Sequence, residues 1–205
     1  MLRGIVVLIV IAVALARGGS LRNFATLELR WLPLVLGGFG LQLLIFTPFR
    51  DTQLIPFATA PLYLLSMALL VIWIALNRQL PGALLIAAGV LLNTIAIAAN
   101  GGYMPVDPAA AQYAGRLEGY APEGLPVDNN SLATKNVHLW ILTDIFPVPA
   151  GIPFANVFSL GDVLLTLGIA ILCYQTIRGP LAAPPASSSS PTSIPSRAPP
   201  LGTDQ

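Results

Sequence analysis

Hydrophobic residues along this chain fall in long unbroken runs, without the every-third-or-fourth rhythm of a helix that keeps one face wet. Four runs, residues 31–49, 57–76, 82–99 and 160–177, are almost wholly apolar and contain no internal Lys or Arg. In lipid every backbone N–H and C=O must be satisfied within the structure, which leaves helices or a closed barrel. Barrel strands alternate apolar and polar positions. These runs do not alternate, so they predict helices. A bilayer core of roughly 30 Å needs about 20 apolar residues to cross it, and each run is of that order.

A fifth run, residues 4–16, is shorter and follows Arg3. One reading is a cleaved signal peptide ending at Ala14–Leu15–Ala16. The other is a retained first span with Arg3 and Arg17 reaching the interface at its two ends. Charge bias favours the retained span. Arg17, Arg22 and Arg30 all follow the run, and positive residues stay in cytoplasmic loops. Arg78 and Arg178, after the third and fifth spans, fit the same side. The loop at Arg50–Asp51, with one charge of each sign, falls outside. The expectation is an all-α, polytopic bundle in the cell membrane with about five transmembrane helices, N-terminus outside and C-terminus cytoplasmic. Residues 1–178 form the membrane domain. Residues 179–205, rich in Pro and Ser, form a disordered cytoplasmic tail with too little apolar surface to offset the entropy of ordering.

Composition supports lipid as the solvent. Charged residues make up 9% of the chain and hydrophobic ones 55%, whereas a soluble domain carries about 25% charged residues. The net charge of +1 and the absence of a basic stripe give no footing for nucleic acid. The single cysteine, Cys173, lies in an apolar run and forms neither a disulfide framework nor a metal motif. No cofactor is indicated, since neither a Rossmann glycine pattern nor a phosphate-binding glycine loop is present.

Most of the polar chemistry sits in the outer loop, residues 100–159. It opens with Asn100–Gly101–Gly102, which suits a helix cap and a sharp reversal. Its middle carries Asp107, Glu118, Glu123 and Asp128 against Arg116, without the spacing of a calcium loop. From Ser131 to Phe146 the pattern suggests an interfacial or re-entrant helix capped by Ser131, with Ser131, Lys135 and His138 near one face and Trp140 at headgroup depth. Within the spans, Gly89, Asn93 and Asn100 share one side of the fourth helix, and Gly38 and Gln42 share one side of the second. Small residues with polar partners are the usual means of packing helices in lipid. Asp162 opens the last helix, where a carboxylate is favoured by the helix dipole and Ser159 or Asn156 can cap.

Three pieces together resemble the bacterial integral membrane proteins grouped as domain-of-unknown-function family 5317. They are Asn93 through Asn100–Gly101–Gly102–Tyr103–Met104–Pro105–Val106; Lys135 with His138–Leu139 and Leu142–Thr143–Asp144; and Ser159–Leu160–Gly161–Asp162. The likeness covers about Arg3 to Ile177 and leaves out the tail. It implies a fold and a membrane location and carries no activity. It also implies that Asn93, Asn100, Asp144 and Asp162 form one outward-facing polar site.

The candidate ligand-binding residues are therefore Asn93, Asn100, Lys135, His138, Asp144 and Asp162. No catalytic residue and no metal ligand set is assigned. The leading expectation is a non-enzymatic membrane protein that binds lipid or a protein partner in the membrane, or supports an envelope process. One alternative is a small-solute transporter lined by Gln42, Asn93 and Thr166. The other is an enzyme on a lipid-linked substrate at the outer leaflet, with His138 or Asp144 as base and Lys135 or Arg116 holding a phosphate.

Overall fold

The computed structural model describes residues 2–46, 59–120, 130–133 and 136–179. The Arg50–Asp51 loop, Glu123, Asp128, Lys135 and residues 180–205 of the expected tail lie outside the described residues.

The apolar runs become five long helices: α1 (Leu2–Ala16), α2 (Leu32–Phe46), α3 (Thr59–Leu76), α4 (Ala83–Ala99) and α6 (Leu160–Arg178). A short α5 (Pro108–Tyr113) lies in the long connection, with Asp107 as its N-cap and Pro108 at its first position. By length and composition one described helix, Leu160–Arg178, is long and apolar enough to cross a membrane; Gly4–Ala16, Leu32–Phe46, Ala60–Leu76 and Ala83–Ala99 are apolar but shorter. Their outward faces carry exposed large apolar side chains, among them Leu8, Leu43, Leu84 and Leu91.

The long helices pack in the order α1, α6, α4, α3, α2, so that chain order and spatial order differ. The closest pair is α4 against α6. Gly82 meets Gly168, and Gly89 meets Gly161, in antiparallel register. A Cβ on Gly89 would lie 2.5 Å from the Gly161 carbonyl oxygen, so the two backbones touch. The small-residue side of the fourth helix, legible as Gly89 and Asn93, thus faces α6. On α2, Gly38 lies against the Ser66 carbonyl of α3, and Gln42 donates to the Ser66 hydroxyl at 3.2 Å.

Arginines gather at one end of the bundle. Asn77, just past α3, grips the Arg30 backbone: it accepts from the Arg30 N–H at 2.8 Å and donates to the Arg30 carbonyl at 2.9 Å. Asn23 donates to the carbonyls of Ile177 and Gly179 at the end of α6. Arg178 donates to the Arg17 carbonyl, and Arg17 to the Tyr174 hydroxyl. Arg17, Arg22, Arg30, Arg78 and Arg178 therefore share that end, as the charge pattern anticipates.

The opposite end carries a small cap built from the connection between α4 and α6. Here the sequence expectation needs correction. The cap is not all-α, and no interfacial or re-entrant helix runs from Ser131 to Phe146 among the described residues. Instead β1 (Met104–Val106) pairs in parallel with β2 (Asn130–Leu132), and β3 (Phe146–Pro147) pairs antiparallel with β4 (Val157–Phe158). Val106 also bridges Asp144. Ser131 is a buried strand residue rather than a helix cap, and only a single 3-10 turn forms, at Trp140–Leu142. The reason is backbone pairing. The extended segment after Gly102 offers a ladder to residues 130–132, and a paired strand satisfies the same N–H and C=O groups that a helix would.

Candidate functional site

A glycine turn sets the height of the cap. The Gly102 N–H donates to the Ile97 carbonyl at 2.9 Å across Gly101, whose φ is +77°. This bond runs back five residues and closes α4 in a Schellman-type stop. The chain then turns directly into β1, which lies over the helix ends.

Asn100, 7% exposed, sits at this stop. Its Nδ2 donates to the Ala96 carbonyl at 2.7 Å and to the His138 carbonyl at 2.9 Å, and its Oδ1 accepts from the His138 N–H at 2.9 Å. The amide thus holds the backbone of residue 138 and pins the second half of the cap to α4. The His138 side chain is exposed and takes no part in this contact.

Two turns below, a ring of side chains joins α4 to α6. The Ser159 hydroxyl caps α6 by accepting from the Asp162 N–H at 3.0 Å, and it donates to Asn93 Oδ1 at 2.9 Å. Asn93 Nδ2 donates to Asp162 Oδ1 at 2.9 Å. Asp162 is 5% exposed and is further favoured by the helix N-terminus. A second carboxylate, Asp144, is 4% exposed and accepts from Asn130 Nδ2 at 2.7 Å.

These two pairs close the capped end of a cavity of about 420 Å³ between α2, α3, α4 and α6. Asn93, Asn130, Asp144 and Asp162 form the polar end beside Met104. The remaining walls are mainly apolar. They include Phe39 of α2, Trp73 of α3, Val90 of α4, and Ile169 and Leu172 of α6, the last two toward the arginine end. Gln42 also lines the wall, with its Nδ-equivalent amide nitrogen, Nε2, committed to Ser66.

Of the four residues that the resemblance groups, the structure brings Asn93, Asp144 and Asp162 to one cavity. It does not bring Asn100 or His138 there: Asn100 works on the backbone and His138 faces out. Lys135 lies outside the described residues. Arg116 is exposed on the cap and does not line the cavity. Thr166 is likewise not in the lining; its hydroxyl donates to the Asp162 carbonyl at 2.7 Å. Asn130 escapes the sequence reading, because the 130–132 segment resembles a helix start. Among the described residues no cluster of His, Cys, Asp and Glu could hold a metal ion.

An uncharacterised protein from Thermotoga maritima is 31% identical over 156 residues, which covers 75% of this chain and 79% of that protein. No solved structure matches the chain. The family model described as a family of unknown function (DUF5317) matches residues 26–174, from the turn before α2 to the last turns of α6 and so across the whole cap and cavity, and the chain belongs to that family.

Proposed function

We propose that the chain is an integral membrane protein of five spans that binds a membrane amphiphile in the cavity between α2, α3, α4 and α6, without chemical turnover. The observation that carries this reading is the cavity itself. Its volume of about 420 Å³ falls within the roughly 300–1,000 Å³ of small-molecule sites. Its walls are mainly apolar, and its polar groups are concentrated under the cap.

Two further features support the membrane part. The helices expose large apolar side chains such as Leu43 and Leu84 to the outside, a surface that lipid covers and water does not. The arginines share the end opposite the cap, which fits a cytoplasmic end and an outer cap. Transport of a polar solute is less well supported, because the half of the cavity nearer the arginines is walled by Trp73, Ile74, Ile86 and Leu172. Lipid chemistry is also less well supported, because His138 and Ser131 do not line the cavity beside Asp144.

Two experiments test the proposal. In a Cys173→Ala background, Gln112→Cys on the exposed face of α5 is expected to react with an impermeant maleimide on intact cells, and Gln79→Cys only after permeabilisation. The reverse pattern would invert the orientation, and equal labelling of both without permeabilisation would remove the membrane-spanning reading. For binding, native mass spectrometry of the protein released from nanodiscs is expected to show one retained lipid per chain. Val90→Trp, which fills a buried wall position, is expected to lose it. Retention of no lipid by the unsubstituted protein would sink the binding reading.

A further inference from the structure

We infer that the groove between α1 and α6 holds a chain of an anionic phospholipid, with its phosphate on Arg17, Tyr174 and Arg178. The inference rests on the membrane-spanning reading above and concerns a different surface from the cavity.

The groove follows from helical spacing. α1 and α6 pack side by side. Val7 shares a recess with Leu165, and further along Val13 shares one with Tyr174, so the two helices run in parallel toward the arginine end. Residues four apart lie on one helix face. Ile9, Val13 and Arg17 therefore make one row, and Ala170, Tyr174 and Arg178 the other. Arg17 still belongs to its row, because its N–H donates to the Val13 carbonyl at 3.1 Å and the chain turns only at Gly18, with φ +83°. Between the rows lies a groove of about 360 Å³ whose walls are almost wholly apolar. From Ile9 to Arg17 the row spans about 12 Å at about 1.5 Å per residue. That is most of one leaflet of a bilayer core of roughly 30 Å.

The charged end is tied together. Arg17 Nη1 donates to the Tyr174 hydroxyl at 3.2 Å, and Arg178 donates to the Arg17 carbonyl. Both arginines are exposed. A guanidinium has five N–H donors, so each keeps most of them after these bonds, and the Tyr174 hydroxyl keeps its own proton to donate. Among the described residues neither arginine is paired with a carboxylate; Glu28, at the same end, makes no ion pair with them. Two helix C-termini meet here, each with roughly half an elementary negative charge. Each arginine brings a full positive charge, so the end is cationic. The Ile177 carbonyl is also already taken, by the Ser20 N–H at 2.9 Å and by Asn23. Guanidinium forks match the oxygens of a phosphate. A free phosphate would leave the apolar groove unfilled, and a zwitterionic head would bring its own amine up against two cations. An anionic phospholipid satisfies both the groove and the arginines.

The protein has three tryptophans. Trp31→Phe, Trp73→Phe and Trp140→Phe remove them, and a single reporter is then placed in the full chain. Gln175→Trp puts it at an exposed position of the groove wall. Leu76→Trp puts it at the same end of the bundle, on an exposed position outside the groove and close in sequence to Arg78. Each protein is reconstituted in vesicles of phosphatidylcholine with rising fractions of phosphatidylglycerol, one of the two lipids carrying brominated chains. Quenching reads which lipid lies beside the reporter. At Gln175→Trp, phosphatidylglycerol is expected to be preferred at least about fivefold, the effect of about one basic residue at an anionic surface. Adding Arg17→Gln and Arg178→Gln, with helix content checked by circular dichroism, is expected to bring the preference close to one. Equal quenching by the two lipids at Gln175→Trp would overturn the inference and leave the membrane-spanning reading standing. So would a preference at Leu76→Trp as large as that in the groove, which needs no arginine variant to fold, or a preference that survives loss of both arginines. No quenching by either lipid at either reporter would overturn the membrane-spanning reading and this inference with it.

Discussion

Gly161→Ala is expected to destabilise the protein by about 3 kcal/mol or more, the upper range for forcing a methyl into a packed interior. A Cβ there would lie 2.7 Å from the Gly89 carbonyl oxygen, a backbone atom that cannot swing away, and it would press on the Asn93 amide. The helices would have to separate. Separation would also pull Asn93 off Asp162 and Ser159, so packing and the polar ring would fail together. Gly40→Ala is the matched control. Nothing lies within 4 Å of a Cβ at Gly40, and alanine is favoured over glycine in a helix by roughly 0.8–1.0 kcal/mol. That variant should hold or gain stability. Denaturant unfolding in detergent, followed by circular dichroism, measures both. A Gly161→Ala protein as stable as Gly40→Ala would mean that α4 and α6 are not in backbone contact.

The part of this architecture that is legible in the sequence is the part with local cause. Gly89 and Asn93 share a helix face because of the helical period, and that face does meet α6. Gly38 and Gln42 behave the same way against α3. Ser159 and Asp162 stand three residues apart before an apolar run, and the cap they form needs no distant partner. The arginines share an end because each stands just beyond an end of an apolar run and none lies inside one. By contrast, the segment 130–146 misleads because its structure is decided elsewhere. Asn130–Leu132 is extended because it pairs with residues 104–106, and nothing within the segment announces that partner. The helix spacing that places Ser131 beside His138 has no meaning in a strand followed by a turn. The cavity is also illegible. Tyr63, Val90 and Leu172 are ordinary apolar residues, and only the order in which α2, α3, α4 and α6 pack makes them its walls.

That same division decides how Asn100 and His138 should respond to substitution. His138 attracts interest as the single histidine, yet its side chain is exposed and only its backbone is held. His138→Ala is expected to change stability by less than about 0.5 kcal/mol, as a surface substitution does. Asn100→Ala removes both bonds to the residue 138 backbone and the bond to Ala96. At about 1 kcal/mol each, the loss is expected to be about 2–3 kcal/mol. The damage should be directional. Leu139, next after the gripped residue, has φ +52°, a left-handed conformation that costs a non-glycine residue about 1–2 kcal/mol. The turn that follows packs Leu142 against the Tyr63, Ala96, Ile97 and Met104 cluster. Once the grip is lost, Leu139 can relax and Leu142 withdraws from the bundle. Hydrogen exchange should therefore rise at residues 138–144 in Asn100→Ala while α6 stays protected. If His138→Ala were the more damaging of the two, the side chain rather than the backbone would hold the cap, and the account of the capped end would have to be rebuilt around the imidazole.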